Sequence, residues 1–466
     1  MKIKKFTLLI IAAFVTFTVT AQNAGDTAKN DKSEIKKGFN FGVLPTITYN
    51  SDLGFQYGAL IDLYNYGDGK IYPKYYERYY LEWSRFTKGS GINNFSFESN
   101  RLLPGRTLFF DVMYRPDDQY DFLGFNGYEA VYNSSWENQD SAGYRTRMFY
   151  KNQTKMLKIK LDILSPVNKN LSWVAGAIFY NFNIDEVDID KFNEGKSDAD
   201  KLPSNEEQPG LYKRYAEWTL IDSANVNGGS LLGLKAGLVY DTRNNWTQAT
   251  KGMWTEFVLM YVPSFIGSAN ASYMKMSIVH RQYFTIVKRR LSFAYRVGYQ
   301  GLLFGEQPFY IQPYMMNVTI KNSMETGLGG NKTLRGIRRN RVVGDGKFWL
   351  NAEFRWRFVY FDLFRQHFYL CANVFTDAGM IVQKTGVEKR FNEVKKIHPL
   401  TDTQFWGKDF KESDYFDFGS EKPHVSYGMG LRIGMNENFV VSADYGRTLN
   451  DQDGKSGFYI GLGYLF

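Results

Sequence analysis

The residues of this chain with the most chemical promise are charged and not nucleophilic. Arg335 lies in the segment Gly329-Gly330-Asn331-Lys332-Thr333-Leu334-Arg335-Gly336-Ile337-Arg338-Arg339, and two carboxylates follow it, Glu353 in Asn351-Ala352-Glu353-Phe354-Arg355 and Asp377 in Phe375-Thr376-Asp377-Ala378-Gly379. A guanidinium is a planar fork of donors that matches carboxylates pairwise. Burying such a group gains little net stability, so its expected use is to fix one conformation of the loop that carries it. That role is either a brace that stiffens the surrounding structure or part of a gate; for Arg355 and Arg357 the simpler reading is pore lining. The four histidines, His280, His367, His398 and His424, are far apart with no metal-ligand spacing and no Ser/His arrangement, so no metal, cofactor or hydrolase chemistry is expected. Cys371 is the single cysteine, which excludes an intramolecular disulfide and reads as a small packed side chain. The reading is of a protein that is not an enzyme.

Glu353 and Asp377 can meet Arg335 only if adjacent strands present them on one face. From Phe348 to Phe358 one face reads Phe348, Leu350, Ala352, Phe354, Trp356, Phe358, and the other Trp349, Asn351, Glu353, Arg355, Arg357. Leu157, Ile159, Leu161 and Ile163 alternate in the same way with Lys158, Lys160 and Asp162. Side chains of a strand point alternately to opposite faces, so an apolar face opposite a charged one is the pattern of a wall between hydrocarbon and water. Candidate strands fall at 39–49, 53–64, 75–87, 91–102, 105–114, 145–163, 170–183, 230–241, 252–262, 271–286, 289–302, 345–358, 366–379, 424–434, 437–446 and 456–466. They number sixteen, an even count as a closed antiparallel barrel requires.

The connections agree with this count. The four long ones, 115–144, 184–229, 303–344 and 380–423, all follow odd-numbered strands and so share one end of the barrel, expected to be extracellular with both termini periplasmic. Pro45 deletes a ladder donor in the first strand, Gly461 and Gly463 weaken the last, and Phe466 ends it. Together they predict a weak junction where the sheet closes.

Composition points the same way. Aromatic residues make up 17% of the chain, with 33 Tyr, 38 Phe and 43 Gly, while mean hydropathy is only −0.39. Aromatic enrichment without helix-length apolar runs fits transmembrane strands. The start, with Lys2, Lys4 and Lys5, an apolar run from Phe6 to Val19 and Val19-Thr20-Ala21, reads as a signal peptide over residues 1–21. Residues 22–38 read as a short disordered periplasmic leader, and 39–466 as the barrel. Removing the signal lysines from a net charge of +9 leaves +6, a modest excess that suits anionic lipopolysaccharide or anionic solutes and gives no sign of nucleic acid.

These segments resemble the barrel of the BamA/TamA superfamily, the bacterial surface antigen domain. The resemblance implies that Leu334-Arg335-Gly336-Ile337 is the family's inward loop motif, that its Arg meets Asp377 of the strand-thirteen motif Phe375 to Gly379, and that Glu353 is the strand-twelve acid. Tyr240-Asp241-Thr242-Arg243-Asn244-Asn245-Trp246 through Thr250-Lys251-Gly252 resembles the family's turn between strands eight and nine. It further implies that the junction of first and last strands is a lateral gate for client polypeptides. The family's usual periplasmic POTRA repeats do not fit in 22–38, so a separate periplasmic subunit is expected to supply them. The favoured expectation is assistance of protein insertion or translocation at the outer membrane; the alternative is a plugged pore for small solutes.

Overall fold

The computed structural model describes residues 36–72, 74–245, 248–268, 271–316, 327–363, 366–435 and 439–466. The expected signal segment, almost all of the leader, and Trp246 lie outside the described residues. The strands are β1 (Phe39–Asn50), β2 (Gly54–Asn65), β3 (Glu77–Phe86), β4 (Gly91–Ser99), β5 (Thr107–Asp121), β6 (Lys151–Pro166), β7 (Leu171–Asp185) and β8 (Gly228–Asp241). They continue as β9 (Gly252–Val262), β10 (Tyr273–Val287), β11 (Leu291–Gly305), β12 (Gly346–Leu363), β13 (Gln366–Gln383), β14 (His424–Met435), β15 (Phe439–Thr448) and β16 (Ser456–Leu462). Each pairs antiparallel with its sequence neighbours, and β1 meets β16 to close a sixteen-stranded barrel. Among the described residues no helix is long and apolar enough to cross a membrane.

The alternation in sequence becomes an inside and an outside. On β6, Lys158, Lys160 and Asp162 are buried in the lumen while Ile159 and Leu161 face outward. On β12, Trp349, Asn351, Glu353 and Arg355 point inward, and Phe354 and Trp356 outward. Polar groups inside and apolar groups outside invert a soluble protein and match a wall bathed in lipid.

The largest departures from the expected strand bounds fall at the end of β5 and the start of β6. β5 runs on to Asp121: Pro116 lies beyond the last regular β4–β5 pair, Asn93↔Tyr114, and pairs with Lys155 of β6. β6 starts at Lys151 because Phe149 and Tyr150 are drawn into an aromatic cluster above the barrel. That cluster, with Phe122, Trp136, Tyr215 and Trp218 among its members, joins the long loops after β5, β7, β11 and β13 into a cap over one mouth.

The seam is short. Tyr49 pairs with Ile460 and Asn50 with Tyr459, and Ser51 N–H adds a bond to Phe458 O at 3.1 Å, whereas β1 pairs with β2 along its whole length. Phe41 through Pro45 are exposed in succession, so Pro45 stands where no β16 partner faces it. The expectation that the last strand reaches Phe466 is overturned. β16 ends at Leu462, Gly463 takes φ +83°, a conformation natural to glycine, and the chain turns into the lumen. Phe466 packs there with Tyr283, Ala249 and Ala294, and its carbonyl accepts from Arg355 Nη2 at 2.9 Å. It therefore has no place in the seam.

An edge held by so few pairs opens at low cost. Backbone amides of residues 40–44 are expected to exchange with deuterium far faster than those of β13; equal protection in the two segments would show the seam to be as closed as the rest of the wall.

Candidate functional site: the inward loop and the seam

The loop between β11 and β12 fastens itself before it meets the wall. Leu328 bridges to Val342, Gly330 N–H donates to Ile337 O at 2.8 Å, and Thr333 Oγ1 accepts from Gly329 N–H at 2.9 Å. Leu334 and Ile337 are fully buried with Leu328, Val342, Trp349 and Ile381, an apolar cluster inside the lumen. Arg335 is thereby delivered to the inner face of β12 and β13.

There the guanidinium grips Asp377 with two parallel bonds, Nε to Oδ2 at 2.9 Å and Nη2 to Oδ1 at 3.0 Å, while Nη1 donates to Glu353 Oε2 at 3.0 Å. The Arg335 backbone N–H also donates to Asp377 Oδ2 at 3.0 Å, tying loop backbone as well as side chain to the strand. The Phe375 ring centroid lies 3.5 Å from the guanidinium carbon, completing the seat by cation–π contact. Neighbouring charges balance. Arg355 Nε donates to Glu353 Oε1 at 2.6 Å, and Arg432 joins Asn373 Oδ1 at 3.0 Å to Asp444 Oδ2 at 2.9 Å. Arg335, Arg355 and Arg432 thus face Glu353, Asp377 and Asp444 in a cluster of zero net charge, the condition under which buried ions are tolerable.

Glycines let the loop come close. A Cβ on Gly336, whose φ is +94°, would lie 2.7 Å from Gly446 C on β15, and one on Gly379 2.8 Å from Leu334 Cδ1. Gly336 N–H donates to the hydroxyl of Tyr459 at 3.1 Å, and Tyr459 is one of the β16 residues paired across the seam. One side chain therefore touches both the inward loop and the closure of the barrel.

The structure brings Leu334, Arg335, Gly336, Ile337, Glu353, Phe375, Asp377 and Gly379 together. Gly461 stands on β16 opposite Ser442 of β15, Pro45 on the unpaired part of β1, Gly463 at the inward turn and Phe466 in the lumen. In the turn after β8, Arg243 folds back on Asp241 and Asn244 caps Thr250 and Lys251. Sequence reasoning missed the partners of the arginines after Arg335. Arg339 reaches Asp121 at 2.6 Å and Asp117 at 2.7 Å on β5, Arg338 reaches Glu137 at 2.7 Å in the cap, and Arg341 donates to Gln452 O and Gly127 O, both at 2.9 Å. The four arginines over seven residues were the available signal; their acids lay in a segment read as loop.

A lipid-facing barrel, filled by its own loop through buried ion pairs, defines a class of membrane protein. The Omp85 superfamily domain matches residues 88–466, and the chain belongs to that superfamily. Among solved structures it is similar to BamA from Haemophilus ducreyi lacking POTRA domains 1–3, at 15% identity and TM-score 0.53, over 92% of this chain and 70% of that one. It is similar also to CdiB from Escherichia coli, at 9% identity and TM-score 0.53, over 92% of this chain and 63% of that one. At these identities the likeness is one of fold. Sequence comparison with curated proteins finds no match.

Removing one partner of a buried ion cluster costs about 3–5 kcal/mol. Arg335→Ala is expected to take that from docking of the loop and to make residues 329–340 protease-sensitive, with the barrel keeping its heat-dependent gel mobility. Arg335→Lys, lacking the fork, is expected to fall between. An unchanged cleavage pattern in Arg335→Ala would refute the lock.

Proposed function

We propose that this chain is an outer-membrane assembly barrel that assists insertion or translocation of polypeptides through its seam, with the inward loop fixing the closed state. The observation that carries this reading is the seam. β1 leaves an edge unpaired from about residue 40 to residue 48, and such an edge is a template on which an incoming strand can form backbone hydrogen bonds. Membership of the Omp85 superfamily supports the same reading. Unsatisfied backbone in hydrocarbon costs several kcal/mol per group, so the open edge favours a client strand.

In this reading the capped end is extracellular and both termini are periplasmic. Residues 1–21 are a cleaved signal, 22–38 a leader, and lipid and lipopolysaccharide surround the wall. A separate periplasmic subunit delivers clients. The second reading, a plugged pore for small solutes, accounts for the loop but gives the short seam no use.

The register supplies the test. Tyr49 and Ile460 stand opposite each other, within reach of a disulfide. In a Cys371→Ala background, oxidised Y49C/I460C in proteoliposomes is expected to lose insertion of an unfolded barrel substrate and to regain it on reduction. Full activity with the disulfide formed sinks the assembly role. Conductance that rises greatly on deleting 329–340, with insertion absent in every form, would establish the pore instead.

A further inference from the structure

The cap contains a cavity that the plug and the seam do not use. It measures about 330 Å³ and lies between the loops after β5, β7, β9, β11 and β13, within the usual size of small-molecule pockets. Four side chains lining it, Asn225, Gln307, Gln312 and Thr385, are each more than nine-tenths buried, yet Asn225 Oδ1, Gln307 Oε1, Gln312 Oε1 and Thr385 Oγ1 have no hydrogen-bond partner among the described residues.

The pattern has a chemical cause. Gln307 Nε2 and Gln312 Nε2 both donate to Asp345 Oδ1 at 3.2 Å, and Asn225 Nδ2 donates to Asp222 Oδ2 at 3.2 Å. An ionised carboxylate only accepts, so each amide must turn its nitrogen to the acid and is left with its oxygen facing elsewhere. Two acids thus orient three amide oxygens as acceptors in one enclosure. Each such group costs about 1–3 kcal/mol when buried without a donor, so their gathering around a single cavity marks a site for a molecule rich in donors. Burial, reinforced by Glu306, pushes the Asp345 carboxyl up to about 6, as for an acid with too few donors around it.

A bare cation fits poorly. The space is far larger than an ion needs, and among the described residues no three His, Cys, Asp or Glu are grouped to hold a metal. Arg390 is engaged already, with Glu306 at 4.0 Å and with Leu220 O at 3.3 Å, so it does not make the site one for anions. Phe309 and Pro308 add an apolar wall beside the acceptors. Hydroxyl donors on one edge and a C–H face on the other describe a sugar ring.

We infer that the cap cavity binds a saccharide unit, its hydroxyls donating to Asn225, Gln307, Gln312 and Thr385 and its ring lying against Phe309. The inference goes beyond the assembly reading and does not need it. The same chemistry is offered by a free sugar or by the glycan of a surface lipopolysaccharide.

The test uses the full chain in amine-oxide micelles, which carry no sugar headgroup. Glucose, galactose, mannose, N-acetylglucosamine, maltose and the core oligosaccharide released from lipopolysaccharide are titrated by calorimetry and saturation-transfer NMR. At least one should bind saturably. Q307A/Q312A, which removes two acceptors, should weaken it about tenfold. Ser272→Trp should abolish binding by filling the cavity from its exposed rim, and heat-dependent gel mobility reports that both variants remain folded. Binding of the simple sugars would identify a soluble ligand, and binding of the core oligosaccharide alone a surface glycan. No saturable binding by any probe, binding unchanged in both variants, or calcium binding lost in them while no sugar binds would each overturn the inference.

Discussion

A wall that shows hydrocarbon one face must turn its polar residues toward the axis, and once a loop fills that axis those residues lose water. The structure therefore depends on neutralising charge inside the barrel. Arg335 stands at the centre of this constraint, holding Asp377 with two bonds and Glu353 with a third, while Arg355 and Arg432 compensate what remains. Six side chains of four strands and one loop are satisfied together, and none of them could be buried so cheaply alone.

The same economy accounts for the other arginines of the loop. Arg339 meets Asp117 and Asp121 on β5, Arg338 meets Glu137 in the cap, and Arg341 takes backbone carbonyls. Plug, wall and cap are thus one polar network, and the loop's position is fixed from several directions. The cap adds a second kind of adhesion, an aromatic cluster that draws residues such as Phe149 and Tyr150 out of the strand register their alternation suggested. Tertiary burial outweighed local pattern at that point.

Period-two alternation made the sixteen strands, the inward face of Glu353 and Asp377, and the sharing of one end by the long loops legible before any coordinates, because lipid on one side leaves each strand little freedom of register. The pairing of Arg335 with Glu353 and Asp377 was legible because a fork needs carboxylates and only certain neighbours had the right parity. Three things were not. Asp117 and Asp121 were hidden because they lay in 115–144, read as loop, whereas β5 runs on to Asp121. The inward turn of the last residues depends on one torsion, at Gly463, which composition does not specify. The cap cavity arises from Asp222 and Asp345 orienting amides on separate loops, a relation that exists only after the loops meet.

The relative strengths of lock and seam decide which opens first. Releasing Arg335 uncovers buried carboxylates at a cost of about 3–5 kcal/mol. The seam rests on a few backbone bonds around Tyr49, Asn50 and Ser51. In the proposed assembly role their loss is recovered when a client strand supplies the same donors and acceptors. Tyr459 belongs to the seam and also receives the Gly336 N–H, so the loop is tied to the closing strand by a contact separate from the ion cluster. In the proposed assembly role, the edge is the part of the wall to open while the ion cluster keeps the interior shut.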